Sequence, residues 1–273
     1  MIRNNATAPV RLLYLLCLAV LLPVSAAAQE GMARLSVLPG WRAEPGVHIA
    51  ALQVSLAPGW KTYWRAPGDA GIPPEIDLRG AANLAGARPL WPTPHVFWQN
   101  GMRSVGYKGA LTLPLRIAAK RHGHDIRLAG RIVIGVCEDI CVPVTFEFDR
   151  VLPADAMQRD PRIARALADR PMSADKAGVR AVSCRIRPGR DGLEVTARIE
   201  MPPAGGTETV LLETDDPEIW VAEGDSTRQG GTLRLETRMA HVLGEAFAVG
   251  RAGLRLTVLG RDRAVDIRGC PAP

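Results

Sequence analysis

The sequence predicts an all-β protein: two consecutive immunoglobulin-like β-sandwich domains joined by a short helical linker. Three observations carry that expectation. Short runs of alternating apolar and polar residues recur along the chain, Gly and Pro punctuate the intervals between them, and a helical pattern interrupts the alternation once, after Pro153.

Residues 1–28 read as a secretory signal peptide. Arg3 and Arg11 give a positive start, Leu12 to Val24 is an apolar run of 13 residues, and Ser25-Ala26-Ala27-Ala28 offers a small-residue cleavage site near Ala28. The run is short for a membrane helix. Cys17 follows Leu15-Leu16, whereas a lipoprotein cysteine follows a small residue, so no stable membrane anchor is expected. Cleavage takes 28 of the 273 residues and two arginines, leaving 245 residues and lowering the formal charge from +6 to +4. That charge is mild, and no basic run interleaves with aromatics, so nucleic acid is not an expected partner.

The first domain is expected over 29–153. Val47–Leu56, Leu111–Ile117, Ile126–Val136 and Val142–Phe148 alternate, and five of the six tryptophans fall here. Residues 154–178 are the expected helical linker: Asp160-Pro161 reads as an N-cap with proline in the first turn, and Arg170-Pro171 ends the helix. The second domain is expected over 179–273, with alternation in Leu193–Met201, Thr209–Glu213, Thr232–Met239 and Leu254–Leu259.

Four cysteines remain after cleavage: Cys137, Cys141, Cys184 and Cys270. In an oxidising compartment an even count suggests two pairs. On one extended strand Cys137 and Cys141 would stand about 13 Å apart, beyond the reach of a disulfide. Apolar strands on both sides of Glu138-Asp139-Ile140 predict a tight hairpin instead, which sets the two cysteines face to face. A bridge closing this five-residue loop would add only about 2 kcal/mol by chain entropy, against about 4.6 kcal/mol for the 87-residue loop between Cys184 and Cys270. The long bridge is the structural staple of the second domain. The short pair is best explained as redox-active, with a structural clip and a metal site as alternatives. The neighbouring carboxylates Glu138 and Asp139 are expected to disfavour a thiolate.

Other constellations are weaker. Cys-x-x-Cys-His is absent, His122-Gly123-His124 has no third ligand near in sequence, and the methionines are scattered. There is no phosphate loop and no Gly-x-Ser-x-Gly elbow. No cofactor and no resident metal are expected. Two aromatic-rich segments, Gly59–Trp64 and Trp91–Trp98, pack the core or cap the cysteine pair against stray oxidants.

Three motifs occur together and in order: Gly59-Trp60-Lys61-Thr62-Tyr63-Trp64-Arg65-x-Pro67-Gly68-Asp69-x-Gly71-Ile72-Pro73-Pro74, then Gly106-Tyr107-x-Gly109 leading to Leu113-Pro114, then Gly135-Val136-Cys137-x-x-x-Cys141-x-Pro143. They resemble the N-terminal periplasmic domain of the DsbD and ScsB protein-disulfide reductases, and the second domain is similar to the region that follows in the ScsB-like branch. The resemblance implies an immunoglobulin-like domain in the periplasm that relays electrons from a membrane-embedded thiol transporter to thioredoxin-like proteins. It implies Cys137 and Cys141 as the redox pair, with Tyr63, Trp64 and Asp69 in support, and it favours Cys141 facing the partner. The chain lacks the family's multi-span membrane domain and thioredoxin domain, so it is not expected to be a complete reductase alone, and its electron supply is expected from a separate protein in trans. A periplasmic copper-binding or assembly factor using the same cysteines, or a non-catalytic interaction module with structural disulfides, are the alternative readings.

Overall fold

The computed structural model describes residues 31–69, 71–99 and 101–273. The expected signal peptide and its cleavage near Ala28 lie outside them.

The first half builds ten strands: β1 (Ala33–Glu44), β2 (Val47–Leu56), β3 (Lys61–Tyr63), β4 (Glu75–Asp77), β5 (Leu84–Pro89), β6 (His95–Gln99), β7 (Met102–Lys108), β8 (Ala110–Ala119), β9 (Ile126–Cys137) and β10 (Cys141–Leu152). One sheet runs β1-β2-β8-β5 and the other β10-β9-β3-β7-β6, with β4 on the side of β9. All their pairings are antiparallel. Alternation sends Ala50, Leu52 and Val54 of β2 into the space between the sheets, where they meet Ile132, Ile134 and Val136 of β9 in one core.

β2 is also buried on its outer side. There Ile49 and Ala51 join Leu38 and Trp41 under Ile163 of helix α1 (Pro161–Ala168). The helix begins where the Asp160 carboxylate accepts the Arg162 backbone N–H at 2.9 Å, and Pro161 occupies its first turn. Cover on both faces explains why the apolar run Ile49–Leu52 interrupts the alternation of β2.

The second half adds β11 (Met172–Ser173), β12 (Ala181–Gly189), β13 (Gly192–Glu200), β14 (Thr209–Glu213), β15 (Ile219–Val221), β16 (Asp225–Gln229), β17 (Thr232–His241), β18 (Arg255–Leu259) and β19 (Ala264–Arg268). Its sheets run β11-β19-β18-β14 and β12-β13-β17-β15, with β16 also on β17. Within the expected linker, Met172–Ser173 pairs in parallel with β19 and so completes a sheet of this half. Val195, Ala197 and Ile199 of β13 pack with Leu212, Leu256 and Val258 from the facing sheet. Cys184 of β12 is bonded to Cys270, just past β19, with S–S 2.00 Å, so the link joins the two layers.

The halves share apolar surface: Leu211, Leu259 and Ala264 belong to the core of the first. Ion pairs reinforce the junction, Arg65 with Glu213 and Arg103 with Glu223.

Candidate redox site

β9 and β10 form a hairpin of twelve registered pairs that ends with Cys137 opposite Cys141, and Glu138-Asp139-Ile140 makes the turn. The two Sγ atoms lie 2.8 Å apart with no disulfide bond between them. This is closer than van der Waals contact and under 1 Å beyond the roughly 2.04 Å of a disulfide. Cys137 is only 2 % exposed; Cys141 is half-buried, beside Ile140 at 79 %.

The register extends further. Lys61 of β3 pairs with Cys137 on one side and with Lys108 of β7 on the other. Cys141, Cys137, Lys61 and Lys108 therefore form one row across four strands and share a face, because residues directly opposite in a sheet point the same way. Phe97 of β6 covers the lysines, with Lys61 Nζ 5.9 Å and Lys108 Nζ 4.9 Å from its ring centre.

Tyr63, two residues beyond Lys61, occupies the same face, and its hydroxyl lies 2.7 Å from Cys141 Sγ. The ring reaches that sulfur by lying flat over Gly135. A Cβ at Gly135 would stand 2.8 Å from Tyr63 Cδ2 and 2.7 Å from Ile72 Cβ, so the bare α-carbon is what admits the tyrosine. Thr62, on the opposite face, donates to the Gly135 carbonyl at 2.8 Å and pins the strands beneath.

Burial pushes the Cys137 thiol up and the adjoining Cys141 adds to it, while the Tyr63 hydrogen bond and the Lys61 charge pull it back. Burial and the two sulfurs drive the Tyr63 phenol far above its usual range, so it keeps its proton and can donate to sulfur. The sequence assigned the raised thiol to Glu138 and Asp139, but the leading causes at Cys137 are burial and Cys141. Both acids are exposed. The Glu138 carboxylate turns over Gly59, where a Cβ would meet its Oε1 at 2.6 Å.

Trp64 and Asp69 lie elsewhere. Trp64 leaves the strand opposite to Tyr63, is fully buried in the core and carries the Arg65 guanidinium 3.8 Å above its ring. Asp69 reaches the second half: its N–H donates to Glu223 Oε1 at 3.3 Å, and the Glu223 N–H donates to Asp69 Oδ1 at 3.4 Å. Both line a cavity of about 560 Å³ at the junction, together with Arg103 and Trp220. Of the second aromatic segment, Phe97 covers the lysines and Trp98 is 69 % exposed.

Sequence reasoning did not single out Lys61, Lys108, Phe97 or Gly135. The signal for two of them is the period of two, since Lys61 precedes Tyr63 and Gly135 precedes Cys137 by one alternation. Among the described residues no group of three or more His, Cys, Asp or Glu side chains is arranged to hold a metal ion. No helix among them is long and apolar enough to cross a membrane.

No curated protein matches the sequence. Among solved structures, the N-terminal periplasmic domain of ScsB from Proteus mirabilis superposes with a TM-score of 0.68 at 20 % identity, covering 91 % of this chain and 96 % of that one. Residues 34–153 match the family described as thiol:disulfide interchange protein DsbD, N-terminal. This stretch runs from β1 through the end of β10 and contains both facing cysteines. Over residues 34–153, then, the chain is similar to the DsbD N-terminal domain family.

Proposed function

We propose that this protein is a periplasmic thiol–disulfide relay, in which Cys137 and Cys141 pass electron pairs between a membrane-embedded thiol transporter and thioredoxin-like proteins. The observation that carries this is the 2.8 Å separation of the two sulfurs across a turn that closes without them. Such a pair can interconvert between dithiol and disulfide with little movement of the strands.

Exchange proceeds by thiolate attack through a mixed disulfide. Cys141, the more exposed sulfur, attacks a disulfide of the partner as its thiolate: the Cys141–partner bond forms, the partner's S–S bond breaks and its other sulfur leaves as a thiolate that takes up a proton, and the exposed Ile140 gives that partner an apolar foothold. The buried Cys137 then attacks Cys141, the Cys137–Cys141 bond forms and the Cys141–partner bond breaks. The pair loses two electrons, and the partner leaves as a thiolate that takes a proton from water. Tyr63, against Cys141 Sγ, restricts the approach of small oxidants and orients that sulfur. Export by a signal peptide cleaved near Ala28 would deliver the chain to the compartment where such partners reside.

Single Cys137→Ser and Cys141→Ser variants in periplasmic extract test the reading. Cys137→Ser should trap a covalent complex that dissolves on adding reductant, and the double variant should trap nothing. Absence of any trapped complex from both single variants, with a wild-type bond that resists strong dithiol reductants while folded, would leave a structural clip.

A further inference from the structure

Tyr63 is held from two sides. Gly135 of β9 bounds its ring at Cδ2, and Gly71 bounds it at Cδ1, where an added Cβ would likewise stand 2.8 Å away. Gly71 belongs to a turn. Its N–H donates to the Gly68 carbonyl at 3.3 Å, and the Pro67 carbonyl at the base of the turn accepts the Val105 N–H of β7 at 2.9 Å. The place of this turn therefore decides how closely the ring is kept over Cys141, whose Sγ lies 2.7 Å from the Tyr63 hydroxyl.

The turn is fastened from the second half of the molecule. Arg65, at its entry, is bound to Glu213. Asp69 exchanges two hydrogen bonds with Glu223, and Gly68 lies so near the same carboxylate that a Cβ there would stand 2.7 Å from Oε1. Gly68 adopts φ +84°, a conformation that suits glycine. Glu223 is steadied in turn by Arg103, whose Nε is 3.5 Å from its Oε2. Elsewhere on that side Arg65, Pro67, Gly68, Asp69 and Gly71 line the junction cavity. Atoms that face a cavity lack dispersion partners there, so the polar ties to the second half set where the turn sits.

Resting on the exchange reading above, we propose that Glu223 is a positioning residue for the cysteine pair, through which the second half regulates access to Cys141. The line of contact runs from Glu223 to Gly68 and Asp69, through Gly71 to the Tyr63 ring, and from the Tyr63 hydroxyl to Cys141 Sγ. Glu223 gives up no proton and forms no covalent bond. It keeps the tyrosine over the outward sulfur, and Asp69, remote from both sulfurs, supports them by this route.

The test follows alkylation of Cys141 by iodoacetamide in the full chain carrying Cys137→Ser, with the modified residue identified by mass spectrometry. The plateau of the pH–rate profile reports access to the ionised sulfur. Asp69→Ala combined with Glu223→Gln should raise that plateau about twofold to tenfold, the range that net loss of one hydrogen bond gives. Asp69 is exposed, so Asp69→Ala alone decides the matter, in the same direction, if the combined variant does not fold. The Cys184→Ser, Cys270→Ser variant weakens the second half without touching the turn and should leave the plateau in place. A second readout follows the ring itself. Tyr14, Tyr63 and Tyr107 are the three tyrosines, so in fluorotyrosine-labelled protein Tyr63→Phe assigns the Tyr63 resonance. Loss of the Asp69–Glu223 tie should move that resonance further than the Tyr107 one. An unchanged plateau, an unmoved Tyr63 resonance or an equal rise in the disulfide variant overturns the proposal. No partner enters these measurements. An unchanged plateau alongside successful trapping at Cys141 sinks the role of Glu223 alone, whereas a raised plateau without any trapped partner sinks the exchange reading.

Discussion

The Arg65 guanidinium grips the Glu213 carboxylate through two hydrogen bonds of 2.7 and 2.9 Å, so the residue two places after Tyr63 is fastened to β14 of the second half. Both side chains are largely withdrawn from water, at 16 and 15 % exposure. Burial lowers the arginine's proton affinity and Glu213 opposes that shift. Glu213→Ala would leave a buried cation without its partner, and we expect a loss of about 2–4 kcal/mol. Urea unfolding measures it, and the Arg65→Met, Glu213→Met double variant should recover much of the loss. A Glu213→Ala loss under about 0.5 kcal/mol would show that water substitutes for the carboxylate.

Cys184 and Cys270 close a separation of 86 residues across the two layers of the second half. Replacing both by serine should lower stability by about 2–5 kcal/mol, while thiol exchange at Cys137 and Cys141 remains measurable. Thermal unfolding and exchange assays on one preparation separate the two effects. Loss of exchange in a variant that stays folded would tie the two cysteine pairs together functionally, against expectation.

His48 supplies a pH dependence. Its Nε2–H donates to the Pro39 carbonyl at 2.6 Å, at the point where β1 slips register against β2 between Leu38 and Trp41. Burial lowers its pKa below the usual value near 6.5, and Arg42 lowers it further. Below about pH 6.5 the unfolded chain takes up a proton that the folded chain refuses. The contribution of His48 is therefore fully present above about pH 6.5 and is lost as pH falls towards the folded pKa. Between about pH 7 and 5 the wild type should lose stability more steeply than His48→Gln. Parallel curves for the two proteins would refute the assignment.

Gly135→Ala should drive Tyr63 off the sheet, because the added methyl would come within 2.8 Å of the ring. The expected cost is about 1–3 kcal/mol. With the ring displaced from Cys141, alkylation of the reduced pair should become faster. If the stability falls but the alkylation rate does not change, the tyrosine contributes packing and no cover.

Much of this arrangement is legible in the sequence wherever an apolar or alternating run is long enough and bounded by turn residues. Val47–Leu56 and Thr209–Glu213 are strands with those bounds, and Glu138–Ile140 is the hairpin turn foreseen from the cysteine spacing. β3 and β4 are three residues each, too short for a period to register, and β1 contains Pro39-Gly40 at its register slip. The row of lysines beside the cysteines is a tertiary fact: Lys61 and Cys137 are 76 positions apart in sequence, and only strand order makes them neighbours. Asp69 illustrates the converse. It sits in a motif next to site residues, yet the chain turns after Pro67 and carries it to Glu223.

The hairpin that holds Cys137 and Cys141 has a mechanical consequence. Because the backbone already brings the sulfurs within 2.8 Å of each other, making or breaking their bond asks little movement of the rest of the molecule. If the pair serves the proposed relay, its dithiol and disulfide forms would present almost the same outline. A docking protein would then sort them not by shape but by what changes at a single spot, the charge and hydrogen bonding around one half-exposed sulfur. Selectivity would accordingly be read in departure rates more than in arrival rates, and a partner that binds both forms alike would be its own competitive inhibitor at high concentration.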